Sequence, residues 1–441
     1  MMLLFAMLFS ACLVAFSQNT GYIDIYVLIS IVIVTVAFFY DIQKITVYRK
    51  YIVSLSLGYL FRILLLFYDV YTDNPLHLPL VGGALSSDPL RFFNAAIGYT
   101  QGISTSYGGF FPKLLGMIFS LTGISRLWAE FIVLLFSVFT ILVFVKIIDD
   151  MNVPLVYRRA SVYLIGLLPN YAFLSAILRR ETLITFFVSL SIRCFINWLK
   201  GSGGGKSFAL AFAFALGASI FHGATGLIVV SYIFVRIFYS PTKKTYGLKV
   251  RNLIGALAFL GIFLYVYARF GTLLFDKVES KLSAGSFSST RDAGGSSYAE
   301  YVGDASTPLR MLIFSIPRLL YFMFSPFPWQ WRDIGDIITF LLSSCIYLYI
   351  VINSFRYIRV TARNEENRNI VIGLLLVLLI SSMFFSWGVT NTGTATRHRD
   401  KFIVIYGVLF ALSLNKRLRI RLNKIDKLIN NLEEQDIDRQ Q

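Results

Sequence analysis

The strongest constraint on this chain is a succession of apolar runs of about bilayer length. About 20 apolar residues in a helix cross a hydrocarbon core roughly 30 Å thick, and lipid tolerates only structures that satisfy their own backbone polar groups. Runs lie at 2–17, 22–41, 51–70, 128–148, 160–177, 182–198, 207–220, 223–239, 252–270, 334–355, 369–389 and 402–416, with two shorter ones at 110–123 and 309–325. Only 15% of the 441 residues are charged, against about a quarter in a soluble protein. The chain therefore reads as an all-α polytopic membrane protein. Its opening MMLLFAMLFSACLVAF lacks the basic stretch that begins a signal peptide and reads as a first span. Cys12, Cys194 and Cys345 all fall in apolar runs, so neither a disulfide framework nor a metal site is implied.

Orientation follows from the connecting loops, because short cytoplasmic loops collect Lys and Arg. Loops 41–50, 149–159, 200–206, 240–251 and 356–368 are basic, as is the tail 416–441. One alternating path places all six in the cytoplasm. It requires about twelve spans and both termini inside, in a single transmembrane domain 1–415 followed by the basic tail. Runs 110–123 and 309–325 then become re-entrant or interfacial helices. Run 207–239 must break near Phe221 and His222, since one long helix would put loop 240–251 on the wrong side. The net charge of +17 is explained by this inside bias, and no zinc-finger spacing or RNA-binding signature points to nucleic acid.

The same path gives the outer face the loops 71–127, 271–333 and 390–401, the turn LRRE at 178–181 and the turn at His222. All three histidines, His77, His222 and His398, fall there. So do Arg91, Arg179, Arg180, Arg291, Arg332, Arg397 and Arg399, which the inside bias does not explain. An outward, arginine-rich polar site accounts for them.

Each motif carries a structural reading beside a functional one. In SSDPLRFFNAAIGYTQG, Asp88 suits helix capping before a proline, and also a base or cation-holding carboxylate. In LRRE, the arginine stems suit snorkelling to headgroups, while Arg179 and Arg180 steadied by Glu181 suit phosphate, which guanidinium binds bidentately. His222, among small residues, suits packing. Arg291 lies in a Gly- and Ser-rich stretch fit for a mobile loop. Trp329 and Trp331 in PFPWQW suit an interfacial belt or stacking on sugar rings. GTATRHRDK puts Arg397, His398, Arg399 and Asp400 in one outer connection, more charge than an anchor needs. KGSGGGKS looks like a phosphate loop, but Lys200 stands where the first glycine belongs. No histidine, carboxylate and cysteine group has metal-ligand spacing, so no cofactor is expected, with a divalent cation on Asp88 left open.

The stretches DPLRFFNAAIGYTQG, SYGGFFPKLLGMIFSLTGISRLWAEF, LPNYAFLSAILRRETLITFF and GTATRHRDKFIVIY together resemble multi-spanning glycosyltransferases of the GT-C class and the architecturally related O-antigen or capsule repeat-unit polymerases. The resemblance covers about two thirds of the chain. It implies a bacterial inner-membrane enzyme that uses a polyprenyl-(pyro)phosphate-linked saccharide at the extracytoplasmic face, alongside membrane lipid, a chain-length regulator or other polysaccharide assembly proteins. Asp88 takes the catalytic acid's place, and Arg179, Arg180, Arg397 and Arg399 take that of the pyrophosphate-binding arginines. Three spans precede Asp88 where GT-C enzymes typically have one, and the acidic doublet of that class is missing. The expected chemistry is inverting transfer, with Asp88 deprotonating an acceptor hydroxyl while arginines stabilise the departing polyprenyl pyrophosphate. The rival readings are a lipid-linked oligosaccharide flippase and a membrane O-acyltransferase with His222 or His398 at its centre.

Overall fold

The computed structural model describes residues 2–18, 20–72, 87–103, 107–247, 249–250, 252–255, 257–258, 261, 297–298, 301–302, 310, 313–332, 334–362 and 365–415. Arg291, His77 and the tail 416–441 lie outside them, as does most of run 252–270. Among the described residues the chain is almost wholly helical. Its one sheet is a hairpin pairing Tyr239–Ser240 with Thr245–Tyr246.

Among the described residues seven helices are long and apolar enough to cross a membrane: Ile23–Lys44, Ile52–Tyr71, Arg126–Asp149, Glu181–Leu199, Gly204–Phe221, Ile334–Val360 and Glu366–Trp387. The Arg126–Asp149 helix is the axis of the bundle. Leu127, Phe131, Leu134, Val138, Ile141, Val145 and Ile148 are all buried, and so are Ala129, Val133 and Phe144 on its other faces. A helix apolar all round is one enclosed by its neighbours. The outer helices expose Leu4, Phe9, Val32, Val36, Leu64 and Leu216 instead, as lipid permits. The protein is a polytopic α-helical membrane protein.

The other expected spans depart from simple crossings for physical reasons. Run 160–177 is not one helix but two, Leu155–Leu167 and Pro169–Ala176. Pro169 has no N–H to give the carbonyl of Ile165 and disfavours helical backbone at Leu168, where φ and ψ are −59° and 116°. Arg62, fully buried in the Ile52–Tyr71 helix, compensates. Its guanidinium donates to Gly166 O at 2.5 Å and Ile165 O at 3.5 Å, and to Gly58 O and Ser137 Oγ. Gly58 makes this possible, because a Cβ there would lie 3.2 Å from the Gly166 Cα. The break expected near His222 is present: one helix ends at Phe221, His222 is extended, and a 3-10 turn at Gly223–Leu227 leads into Ile228–Phe238. Phe110–Thr122 and Ser315–Phe324 are 13 and 10 residues long, too short to span. Run 402–416 is helical over Ile403–Leu414, 12 residues.

Five of the six basic loops meet at one end of the bundle. Asp149 accepts from Lys50 Nζ at 2.9 Å, Arg158 Nη1 at 2.8 Å and Tyr51 Oη at 3.0 Å. Lys200 donates to Asp150 O, Lys244 pairs with Glu366 at 3.1 Å, and Asn369 donates to Lys244 O. The Glu181–Leu199 helix runs from there to the opposite end. Its 19 residues measure about 28 Å at 1.5 Å per residue, close to the hydrocarbon thickness.

Candidate functional site

At that opposite end, four segments remote in sequence bring their charges together. The first is the first turn of the Ser87–Thr100 helix, which carries Asp88. The second is the 178–180 turn, held between the Pro169–Ala176 helix and the first residue of the next helix, Glu181. The third is the Thr392–Arg399 helix, capped by Asn391, whose side chain accepts from Thr394 N at 3.2 Å. The fourth is the bend at His222.

Asp88 is the hub. Its Oδ2 lies 3.0 Å from Arg397 Nη1 and 3.9 Å from Arg179 Nη1, and its Oδ1 accepts from Tyr107 Oη at 2.5 Å. Burial by itself would raise this carboxyl, but the Tyr107 hydroxyl and the Arg397 and Arg179 guanidiniums outweigh it and hold the group below the ordinary carboxylate value. Asp88 and Arg397 therefore share one cluster, although 309 residues separate them. In this arrangement Asp88 is a paired carboxylate, not a free base.

The surrounding charges are mostly positive. Arg179 is buried, and burial together with the like charge of Arg397 lowers its guanidinium to about 10, so it stays charged at neutral pH. Arg180 donates to Gly108 O at 3.4 Å and lies over the Phe92 ring, while Arg91 lies over the Tyr107 ring. Gly108 has φ +78°, and a Cβ there would come within 2.5 Å of the Phe92 ring; only glycine fits this turn. Glu181 has Arg179, Lys401, Arg397 and Arg180 as its charged neighbours. It also begins a helix, so the helix's positive end faces the same cluster. Four cations (Arg179, Arg180, Arg397, Lys401) thus meet two carboxylates (Asp88, Glu181).

The RHRDK stretch divides its labour, because consecutive helical residues point about 100° apart. Arg397 turns to Asp88. His398 packs against Phe385 and His222, with ring centroids 5.1 Å and 5.0 Å away, and its Nδ1 is 2.7 Å from Lys401 Nζ. Arg399 turns inward instead. It is fully buried, donating to Met323 O at 3.0 Å, Ser325 O at 2.8 Å, Ser344 Oγ and Thr396 Oγ1. Ser344 is presented by a π-helical segment, Phe340–Ser344, inside the Ile334–Val360 helix, and such bulges are frequent where a helix must redirect a side chain. Asp400 accepts from Tyr347 Oη at 2.6 Å in the layer beneath; burial lifts its carboxyl to about 6 despite Tyr347 and Arg399. Arg399 and Asp400 thus hold the site's floor, whereas the sequence grouped them with Arg397.

Trp329 and Trp331 belong to a different patch. Trp329 stacks on Phe327 at 4.8 Å and donates to Tyr321 Oη at 3.0 Å, beside Tyr301 and Tyr298. Trp331 packs edge-on against Phe340. Arg332 pairs with Asp336. Two contributors to the cluster were missed from sequence. Lys401 was detectable, since it stands three residues after His398 and such pairs share a helix face. Tyr107 carried no signal beyond the Gly-Gly turn that follows it. Among the described residues no group of three or more His, Cys, Asp or Glu side chains is arranged to hold a metal ion. No protein-family model matches the chain, and neither the curated proteins nor the solved structures provide a match.

Proposed function

We propose that the protein is a membrane glycosyltransferase, in the manner of a repeat-unit polymerase. It acts at the extracytoplasmic face of a bacterial inner membrane on a polyprenyl-(pyro)phosphate-linked saccharide. The observation that carries this reading is the cluster of four cations and two carboxylates at the end of the bundle opposite the basic loops, with a helix N-terminus at its edge. An excess of guanidinium beside hydrocarbon suits an anion with a lipid tail. With the basic loops in the cytoplasm, both termini are inside and the cluster faces out. Twelve spans in a GT-C-like arrangement fit this topology.

Chemically, the diphosphate would take over Arg397 and Arg179. Asp88, released from both, would regain basicity and accept the proton of the acceptor hydroxyl as that oxygen attacks the anomeric carbon. The bond to the leaving phosphate oxygen breaks with inversion, and the arginines stabilise the charge that develops there.

A flippase for the same lipid is the second reading, favoured by Arg62, a charge fully buried within a span. Its donors already go to backbone carbonyls and a serine hydroxyl, however, so it has a structural role. Deleting the gene and analysing lipid-linked and surface glycans separates the two. Loss of a polymerase leaves single-repeat glycan at the surface, and loss of a flippase traps lipid-linked units inside the cell. Unchanged long-chain glycan after deletion would dismiss both.

A further inference from the structure

We infer that Lys401 is a positioning residue that locks His398 in one tautomer, so that His398 meets the anionic ligand as an Nε2–H donor and not as a proton acceptor. The inference rests on the anion-binding reading above and deepens it by giving His398 a chemical role.

The geometry leaves the imidazole little choice. Lys401 is buried, with its Nζ 2.7 Å from His398 Nδ1 and 5.2 Å from the centre of the Phe385 ring. Below about pH 7, where Lys401 carries its charge, its ammonium has only protons to offer, so Nδ1 must accept and the ring's own proton must sit on Nε2. Phe385 covers one face of the ring and the His222 ring stands across it at 65°. Among the described residues Nε2 makes no hydrogen bond, and it is not one of the buried polar atoms left without a partner. It is therefore a donor left available at the cluster.

The charged and titratable groups facing His398 are Lys401 on its own segment, Arg397 on its own helix, Arg180 on the 178–180 turn and His222 on the bend. Below about pH 7 all but His222 are cationic, and none favours a second proton on the ring. Burial and these charges push His398 well below the ordinary histidine value. A neutral imidazole with a fixed Nε2–H adds a directed donor to a ring that has Arg397 and Arg180 as charged neighbours, for an oxygen of a diphosphate or of the bond being broken.

The test labels histidine with 15N in the purified, detergent-solubilised full chain. The expected spectrum shows His398 neutral and protonated on Nε2 alone at about pH 6, where Lys401, with a value of about 7, still carries its charge. Lys401→Gln, which keeps an N–H donor, should retain that spectrum, and Lys401→Met, of similar volume, should give mixed tautomers. Binding of inorganic pyrophosphate supplies the second arm. Glutamine places its amide N–H near the position of Nε2, so His398→Gln should bind within about 3-fold of wild type, while the shorter His398→Asn should lose about 10-fold, as expected for one directed hydrogen bond to an anion. A proton on Nδ1 at about pH 6, or an imidazolium there, overturns the proposal. Equal binding by His398→Gln and His398→Asn overturns the donor role alone. If pyrophosphate does not bind the wild-type protein, the anion-binding reading itself fails.

Discussion

Replacing Asp88 by asparagine should separate ligand binding from turnover, because the two depend on that carboxylate with opposite signs. Asparagine keeps the size of the side chain and an oxygen for the Tyr107 hydroxyl, removing only the charge. In the resting cluster that charge holds Arg397 at 3.0 Å and attracts Arg179 at 3.9 Å, so an incoming phosphate must draw both guanidiniums away. A charge-assisted hydrogen bond of this kind is worth about 1.5–3 kcal/mol. With Asp88 34% and Arg397 20% exposed, solvent screening reduces this to about 1–2 kcal/mol. Released from it, the arginines should bind inorganic pyrophosphate about 5- to 30-fold more tightly. Losing the base should slow glycosyl transfer by about 10²- to 10⁴-fold. Calorimetry on the solubilised protein reads the first quantity, and turnover of a polyprenyl-diphosphate saccharide reads the second. Pyrophosphate bound more weakly by Asp88→Asn than by wild type would refute the idea that Asp88 competes with the ligand for the arginines.

Arg62→Met should lower thermal stability by about 2–4 kcal/mol, because the carbonyls of Gly166 and Ile165 at the helix break lose their donor and each orphaned group costs about 1–3 kcal/mol; an unchanged melting temperature would show that the break needs no clamp. Gly108→Ala forces a β-carbon against the Phe92 ring at φ +78°, at a backbone cost of about 1–3 kcal/mol, and should cut transfer more than 10-fold by displacing Tyr107 and the carbonyl that anchors Arg180. Asp400 and Lys401 should contribute opposite pH slopes to the melting temperature. Burial raises Asp400 to about 6 from about 3.9 in the unfolded chain, so the native state holds the extra proton and stability falls as pH rises across that window. Burial, opposed by Glu181, lowers Lys401 to about 7 from about 10.4 unfolded, so the unfolded state holds the extra proton and stability climbs from pH 7 upward. Asp400→Asn should remove the first slope and Lys401→Met the second, each read as the difference from the wild-type pH profile.

What could be read from sequence was governed by length scales. A 20-residue apolar run and a cluster of basic loops are one-dimensional signals of a two-dimensional boundary, so the helical class and the convergence of loops 41–50, 149–159, 200–206, 240–251 and 356–368 were visible before any coordinates. Helix breaks were read less evenly. The one at His222 followed from charge parity, whereas that at Leu168 was overlooked despite Pro169, because apolar composition continues straight through it. Arg62 escaped notice for the same reason, as one charge inside a long apolar run. Within the site, Asp88, Arg179, Arg180, Glu181, His222, Arg397 and His398 were singled out by type and side, and these the structure brings together. Their pairing was not legible, since contact between residues 88 and 397 depends on how helices pack. The grouping of Arg399 and Asp400 with Arg397 treated neighbours in sequence as neighbours in space, which the 100° helical step forbids.

The most direct test reconstitutes the purified chain in liposomes with a synthetic polyprenyl-diphosphate-linked repeat unit on the face away from the basic loops. The expected result is a ladder of elongated, lipid-linked glycan with polyprenyl diphosphate released in step, lost in Asp88→Asn and Arg397→Ala. Unelongated donor with the wild-type protein, or the same ladder from Arg397→Ala, would contradict a transfer site built around Asp88 and its arginines.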